Sequence, residues 1–236
     1  MQDRKEGLFI GLIGLPGVGK STLAKSLAQQ IGASVFIEPG EDEWDFDHSR
    51  NWKEQVGRIE SWVCSSNASK FREAHALAMQ GHKTVSDAGI FLVNKELIYA
   101  SSTQWWYGLI SNQEKSQLHT LAKQNWVDES CRPDVLVLVE TDKATWLSYM
   151  EKRGRSDDND PECVRQYDTQ KKLMADSAEH YARENCISFI KFINNFGIAD
   201  KNAAELARTL DIYIHPHIQL LEENENREKN VLSYRS

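Results

Sequence analysis

The sequence predicts an α/β fold, a five-stranded parallel sheet with helices on both faces, and three observations predict it. Short apolar runs alternate with segments of helical spacing along most of the chain. One of these runs, Val135-Leu136-Val137-Leu138-Val139, is apolar at every position, as a central parallel strand buried on both faces must be. The first run, from Leu8 to Ile13, enters a glycine-rich turn that opens a helix, so the local order is strand, turn, helix.

That turn reads Gly14-Leu15-Pro16-Gly17-Val18-Gly19-Lys20-Ser21 and fits the phosphate-binding pattern G-x-x-x-x-G-K-[ST]. Glycines let the backbone turn its N–H groups inward, where they and the positive end of the next helix can hold a chain of phosphates. The candidate phosphate-binding residues are Gly14, Pro16, Gly17, Val18, Gly19, Lys20, Ser21 and Thr22. Lys20 is placed to reach the terminal phosphates and the Ser21 hydroxyl to hold Mg²⁺. A nucleoside triphosphate is the expected ligand.

Leu23, Ala24, Leu27, Ala28 and Ile31 recur at helical spacing, and Gly32 ends that helix. Ser34 to Ile37 reads as a second, buried strand that delivers Glu38-Pro39-Gly40 at its carboxyl end. After an acidic stretch, residues 51–80 read as helical, with Trp52, Val56, Ile59, Trp62 and Val63 on one side. Lys83 to Ser86 is a third strand ending in Asp87, with Ala88-Gly89 and a helical face from Phe91 following. Ser111 three residues before Glu114 predicts a capping box and a helix to about Trp126. Beyond the central strand, a helix from about Lys143 to Lys152 leads into the polar segment Arg153 to Pro161, read as mobile surface. Residues 162–184 read as helical, Ile187 to Ile193 as the fifth strand, and a last helix carries Leu206 and Leu210. Ligands in such sheets sit at the carboxyl ends of the strands. The phosphate loop, Glu38, Asp87, Glu140 and Asn194-Asn195 therefore form one candidate site.

The 236 residues are expected to form a single domain over 1–221 with a polar tail over 222–236. A net charge of −7 carries no basic excess, so a nucleic-acid partner is not expected, and a small phosphorylated ligand fits better. The four cysteines form no C-x-x-C pair and read as reduced. The charged start and the interrupted apolar run match neither a signal peptide nor a membrane span, which sets a cytoplasmic expectation. His215-Pro216-His217 is read as surface rather than as a metal site.

Taken with the loop, four more segments make the chain resemble the deoxynucleoside kinase family of P-loop kinases. Glu38-Pro39 with Trp44 is similar to the family's E-P-x-x-x-W segment, one residue longer here. Ser86-Asp87-Ala88-Gly89-Ile90-Phe91 resembles its acidic-R-S-I-[FY] segment, and Pro133-Asp134 with its strand resembles P-D-L-I-I-Y-L-D. Arg153-Gly154-Arg155-Ser156-Asp157-Asp158 resembles the lid R-x-R-S-E-E. Thymidylate kinases share much of the layout, but their R-E-P-G and D-R-[YH] segments are not reproduced.

The resemblance implies a P-loop NTPase fold with a short arginine-bearing lid and transfer of the γ-phosphate of ATP to a sugar 5′-hydroxyl. It implies Glu38 as the base, Asp87 assisting the Mg²⁺ held by Ser21, and Arg153 and Arg155 folding over the phosphates. Trp44 and either Asp157 or Asp158 are the implied contacts to the acceptor. Beside Trp44, the candidate acceptor residues are Asp158 with Arg58 and Trp62 of the helical segment that follows it. Family dimers are built from helices, and the apolar helical faces here permit a homodimer. Ala88 and Gly89 replace the family's arginine and serine, and Val63 falls near its base-reading glutamine, so the nucleobase preference does not transfer. Two readings stand beside this one, a nucleoside monophosphate kinase and a nucleotide-binding module without turnover. The acidic segment 38–49 argues for a neutral hydroxyl acceptor over a phosphorylated one.

Overall fold

The computed structural model describes residues 7–40, 43, 47, 50–88, 110–125, 131–154, 161–195 and 197–214. Within them the chain runs β1 (Leu8–Ile13), α1 (Lys20–Ile31), β2 (Ser34–Phe36) and, after a 3-10 turn at Trp52–Glu54, α2 (Val56–Met79). It continues as β3 (Lys83–Ser86), α3 (Asn112–Asn125), β4 (Val135–Glu140), α4 (Lys143–Arg153), α5 (Pro161–Glu184), β5 (Ser188–Ile193) and α6 (Ala199–Ile214). The five strands form one sheet in the order β2-β3-β1-β4-β5, and every adjacent pair is parallel. The chain thus goes to one side of β1 for β2 and β3, then to the other for β4 and β5. This reversal leaves the carboxyl end of β1 at the switch point where such sheets bind ligands.

β1 occupies the centre because its residues can be covered on both faces. Phe9, Ile10, Leu12 and Ile13 are all buried, as are the five apolar residues of β4, and successive side chains in a strand point to opposite faces. The Phe9 and Phe71 rings meet at 4.6 Å between centroids, which seats α2 on β1. Leu23 and Leu27 of α1 are fully buried, and each contributes roughly 2 kcal/mol of transfer free energy. Asp134 fastens the entry to β4 reciprocally: the Phe9 N–H donates to its Oδ2 at 2.8 Å, and its own N–H donates to the Phe9 carbonyl at 2.8 Å. The aspartate of the Pro133-Asp134 segment therefore serves the sheet.

Three expectations change. β2 is an edge strand, three residues long with Val35 39% exposed, because β3 alone pairs with it. It also ends at Phe36, short of Pro39. The buried face of α2 runs through Val56, Ile59, Cys64, Asn67, Ala68 and Phe71, while Trp62 and Val63 are half-buried at its margin. The capping box forms as expected, with the Glu114 N–H donating to Ser111 Oγ at 3.2 Å and the Ser111 N–H to Glu114 Oε2 at 2.7 Å. The helical face from Phe91 and the residues from 215 onward lie outside the described residues.

Candidate functional site

The phosphate loop joins β1 to α1 at the middle of the sheet. All three of its glycines are required by geometry, Gly14 because a Cβ there would strike the Val139 carbonyl oxygen. Gly17 and Gly19 have φ of 79° and 83°, a region side chains disfavour. A Cβ on Gly17 would strike Met150, and one on Gly19 would lie 2.5 Å from Asn194 Nδ2. Gly19 is also the N-cap of α1, with no side chain capping the helix and no acidic residue in its first turn. The first N–H groups of α1 are therefore not satisfied by a side chain, and the helix dipole adds positive potential there.

Lys20 is 7% exposed, and its Nζ donates to the Gly14 and Leu15 carbonyls at 3.1 Å each. The ammonium group is thus held across the loop by main-chain oxygens. Ser21 is half-buried and Thr22 exposed on the next positions. Distant elements hold the loop from outside. The Trp146 indole N–H donates to the Pro16 carbonyl at 2.8 Å, and Asn194 Nδ2 donates to the Val18 carbonyl at 2.7 Å. Burial pushes the Tyr167 phenol up to about 12, with nearby acids adding to the rise, so it stays protonated and donates to the Thr141 carbonyl at 2.7 Å. Lys171 donates to the same carbonyl at 3.0 Å.

Across from the loop, Asp87 ends β3 fully buried. The Glu38 N–H donates to its Oδ1 at 2.5 Å, which ties the end of β2 to the end of β3. Burial pushes the Asp87 carboxyl up, and the Glu38 charge adds to that rise. The Ser21 hydroxyl, the Glu38 N–H and the Lys20 ammonium oppose it. Lys20, Ser21, Glu38 and Asp87 thus share one electrostatic environment.

Asp87 Oδ2 is buried without a hydrogen-bond partner. A buried carboxylate oxygen beside a serine hydroxyl is a hard oxygen donor set with unused capacity, and it fits Mg²⁺. Among the described residues no three His, Cys, Asp or Glu side chains cluster as a metal site, so phosphate and water oxygens would complete the coordination.

Glu38 has a second partner that no sequence motif marked. Asn67 of α2 is 1% exposed and donates from Nδ2 to Glu38 Oε1 at 3.1 Å. Its position on the buried face of α2 is the only sequence signal that could have found it. Gln55, at the N-cap of α2, is buried and exchanges hydrogen bonds with the Asp47 backbone, its Oε1 at 2.8 Å and its Nε2 at 2.9 Å, which commits it to that turn. Arg58 is exposed on α2. Ala88 is buried, and its N–H donates to Ser86 Oγ at 3.3 Å. Arg153 is the last residue of α4 and half-buried. Arg155, Asp157, Asp158 and Trp44 lie outside the described residues.

Sheet order, loop and strand-end acids define a P-loop nucleotide-binding fold of the NTPase type. The chain belongs to the AAA-domain family, whose model matches residues 9–176. No curated protein sequence matches it. Two structures of deoxyadenosine kinase from M. mycoides, with bound dATP and with bound dCTP, are similar in fold at a TM-score of 0.54 each. They share 19% and 16% identity with this chain, and the match covers 86% of it and 98% of each of them. Thymidylate kinase from Candida albicans is similar at a TM-score of 0.51 and 15% identity, over 88% of this chain and 92% of that one. At such identities the likeness is one of fold. The architecture is the one these deoxyadenosine and thymidylate kinases share.

Proposed function

We propose that the protein is a Mg²⁺-dependent kinase that transfers the γ-phosphate of ATP to the 5′-hydroxyl of a deoxynucleoside or a modified nucleoside. The observation that carries this reading is that Asp87 links Glu38 to the phosphate loop. The Glu38 N–H is fixed on Asp87, and Asp87 lies beside Ser21 and Lys20. A carboxylate at that place can take the proton of a hydroxyl bound between it and the terminal phosphate.

In the proposed reaction the loop N–H groups and Lys20 hold the β- and γ-phosphates. Glu38 accepts the hydroxyl proton, and the hydroxyl oxygen bonds to the γ-phosphorus as the bond from that phosphorus to the β–γ bridging oxygen breaks, leaving ADP. Ser21 and Asp87 would hold Mg²⁺, which when bound neutralises charge between the phosphates. Arg153, and Arg155 from the lid segment, would offset charge on the transferred group.

Phosphoryl transfer asks for positioning and neutralisation more than covalent chemistry, and these residue types supply both. The acceptor is read as uncharged because Glu38 and Asp87 line this side, where a monophosphate would call for cations.

A nucleotide-binding module without turnover is the second reading. It is favoured by Ala88, a small buried residue where the resembling kinases carry arginine. The deciding measurement is Mg²⁺-dependent ATP consumption across nucleosides, their monophosphates and nucleic-acid ends, with Lys20→Ala as control. Turnover with nucleosides is expected, and the Lys20→Ala rate should fall about 10²–10³-fold, the scale of one lost electrostatic stabiliser. ATP binding without turnover on any acceptor would leave the module.

A further inference from the structure

The turn after β5 reaches the phosphate loop through two buried amides. Asn194 is 3% exposed and Asn202, in α6, is 1% exposed. Asn202 Nδ2 donates to Asn194 Oδ1 and to the Asn195 carbonyl, both at 2.7 Å. Asn194 Nδ2 in turn donates to the Val18 carbonyl at 2.7 Å, and the Asn194 backbone N–H is held by the Glu140 carbonyl at 2.8 Å. Asn202 Oδ1 is buried with no hydrogen-bond partner. Flipping that amide would set its oxygen against two other oxygens, so its two donors fix its orientation. A buried acceptor left unmatched costs stability, and what that cost secures is the Asn194 side chain.

We infer that Asn194, oriented by Asn202, is a positioning residue for phosphate binding, because it fixes the peptide plane that aims the Gly19 N–H. A trans peptide is planar, with its C=O and N–H pointing in opposite directions. No cis bond occurs among the described residues. Holding the Val18 carbonyl on Asn194 therefore turns the Gly19 N–H away from β5, into the loop. At φ of 83° Gly19 has the freedom to flip, so the plane needs an external hold. The glycine is required from the same side, since a Cβ there would lie 2.5 Å from Asn194 Nδ2. The inference rests on the phosphate-binding part of the proposed function and not on turnover.

The test is titration of the wild type, Asn194→Ala, Asn202→Ala and the double variant with ATP and with inorganic triphosphate, alongside thermal unfolding. Asn194→Ala is expected to weaken both ligands by the same factor, about ten- to a hundredfold, the scale of one charge-assisted hydrogen bond. Asn202→Ala should weaken both by less, and the double variant should bind like Asn194→Ala, since the two amides act in series. Loss with ATP but not with triphosphate would place Asn194 on the nucleoside end and overturn the inference. Unchanged binding by a folded Asn194→Ala overturns it too. Unfolding of both single variants would make the pair a folding element only, which overturns it equally. A wild type that binds neither ligand brings down the nucleotide reading itself, a result distinct from the others.

Discussion

The two sides of the site are built differently. On the phosphate-loop side, four main-chain carbonyls, those of Gly14, Leu15, Pro16 and Val18, accept hydrogen bonds from Lys20, Trp146 and Asn194. On the opposite side, two carboxylates, Glu38 and Asp87, are steadied by a main-chain N–H and an amide. The first side fixes backbone shape with neutral acceptors, whereas the second keeps acidic oxygens in place near one another. Substitutions of Trp146 and Asn194, which hold the loop backbone, should therefore act on nucleotide affinity, those of Glu38 and Asn67 on rate, and those of Asp87 on Mg²⁺ and pH behaviour.

Glu38→Gln should break the contrast most sharply if it fails. We expect kcat to fall about 10²–10⁴-fold, the range for one general base, with ATP affinity unchanged. A variant that keeps full rate removes Glu38 as the base.

Asn67→Leu comes next. Loss of the hold on Glu38 should lower kcat about ten- to a hundredfold, the scale of a misplaced reacting group, with little change in KM for ATP. Because Asn67 Oδ1 is buried without a hydrogen-bond partner, the apolar replacement should leave thermal stability level or higher. A fall in Tm with kcat intact would make Asn67 a packing residue.

Asp87→Asn should raise the stability of the nucleotide-free protein near neutral pH and abolish the Mg²⁺ dependence of ATP binding. The sign follows from linkage. A carboxyl whose folded pKa is raised favours folding below its unfolded value, and that contribution is lost as pH rises through the folded value. The gain from Asn should thus appear at neutral pH and vanish on acidification, as denaturation midpoints across pH would read. Trp146→Phe should give the smallest effect. It leaves the Pro16 carbonyl without its indole donor, costs about 1 kcal/mol, and weakens ATP binding a few-fold by titration.

The same contrast explains what the sequence disclosed. The phosphate loop is local: its glycines, Lys20 and Ser21 lie within eight consecutive residues, 14 to 21, and follow an apolar run, so its role can be read directly. The parallel sheet is also legible, since V-L-V-L-V permits little besides a strand covered on both faces. The exposure of β2 is not, because apolar residues occur on edge strands as well, and only the pairing order β2-β3-β1 shows which strand lies outside. Asn67, Trp146 and Asn194 stand 29 to 176 residues from the partners they hold, and Asn202 reaches back 8 and 7 residues to Asn194 and Asn195. An asparagine on a helix face carries no mark of such a bond until the chain is folded.

The fastening of Val18 to Asn194 spans 176 residues, and this bears on biosynthesis. At roughly 5–20 residues per second, the ribosome releases the loop some ten to thirty seconds before it makes the asparagine that holds it. Until β4 appears, β1 can pair on one edge only, with β3. The loop is thus completed only after a segment translated much later, and nascent chains stalled short of β5 should gain protease resistance from triphosphate far less than chains that include it.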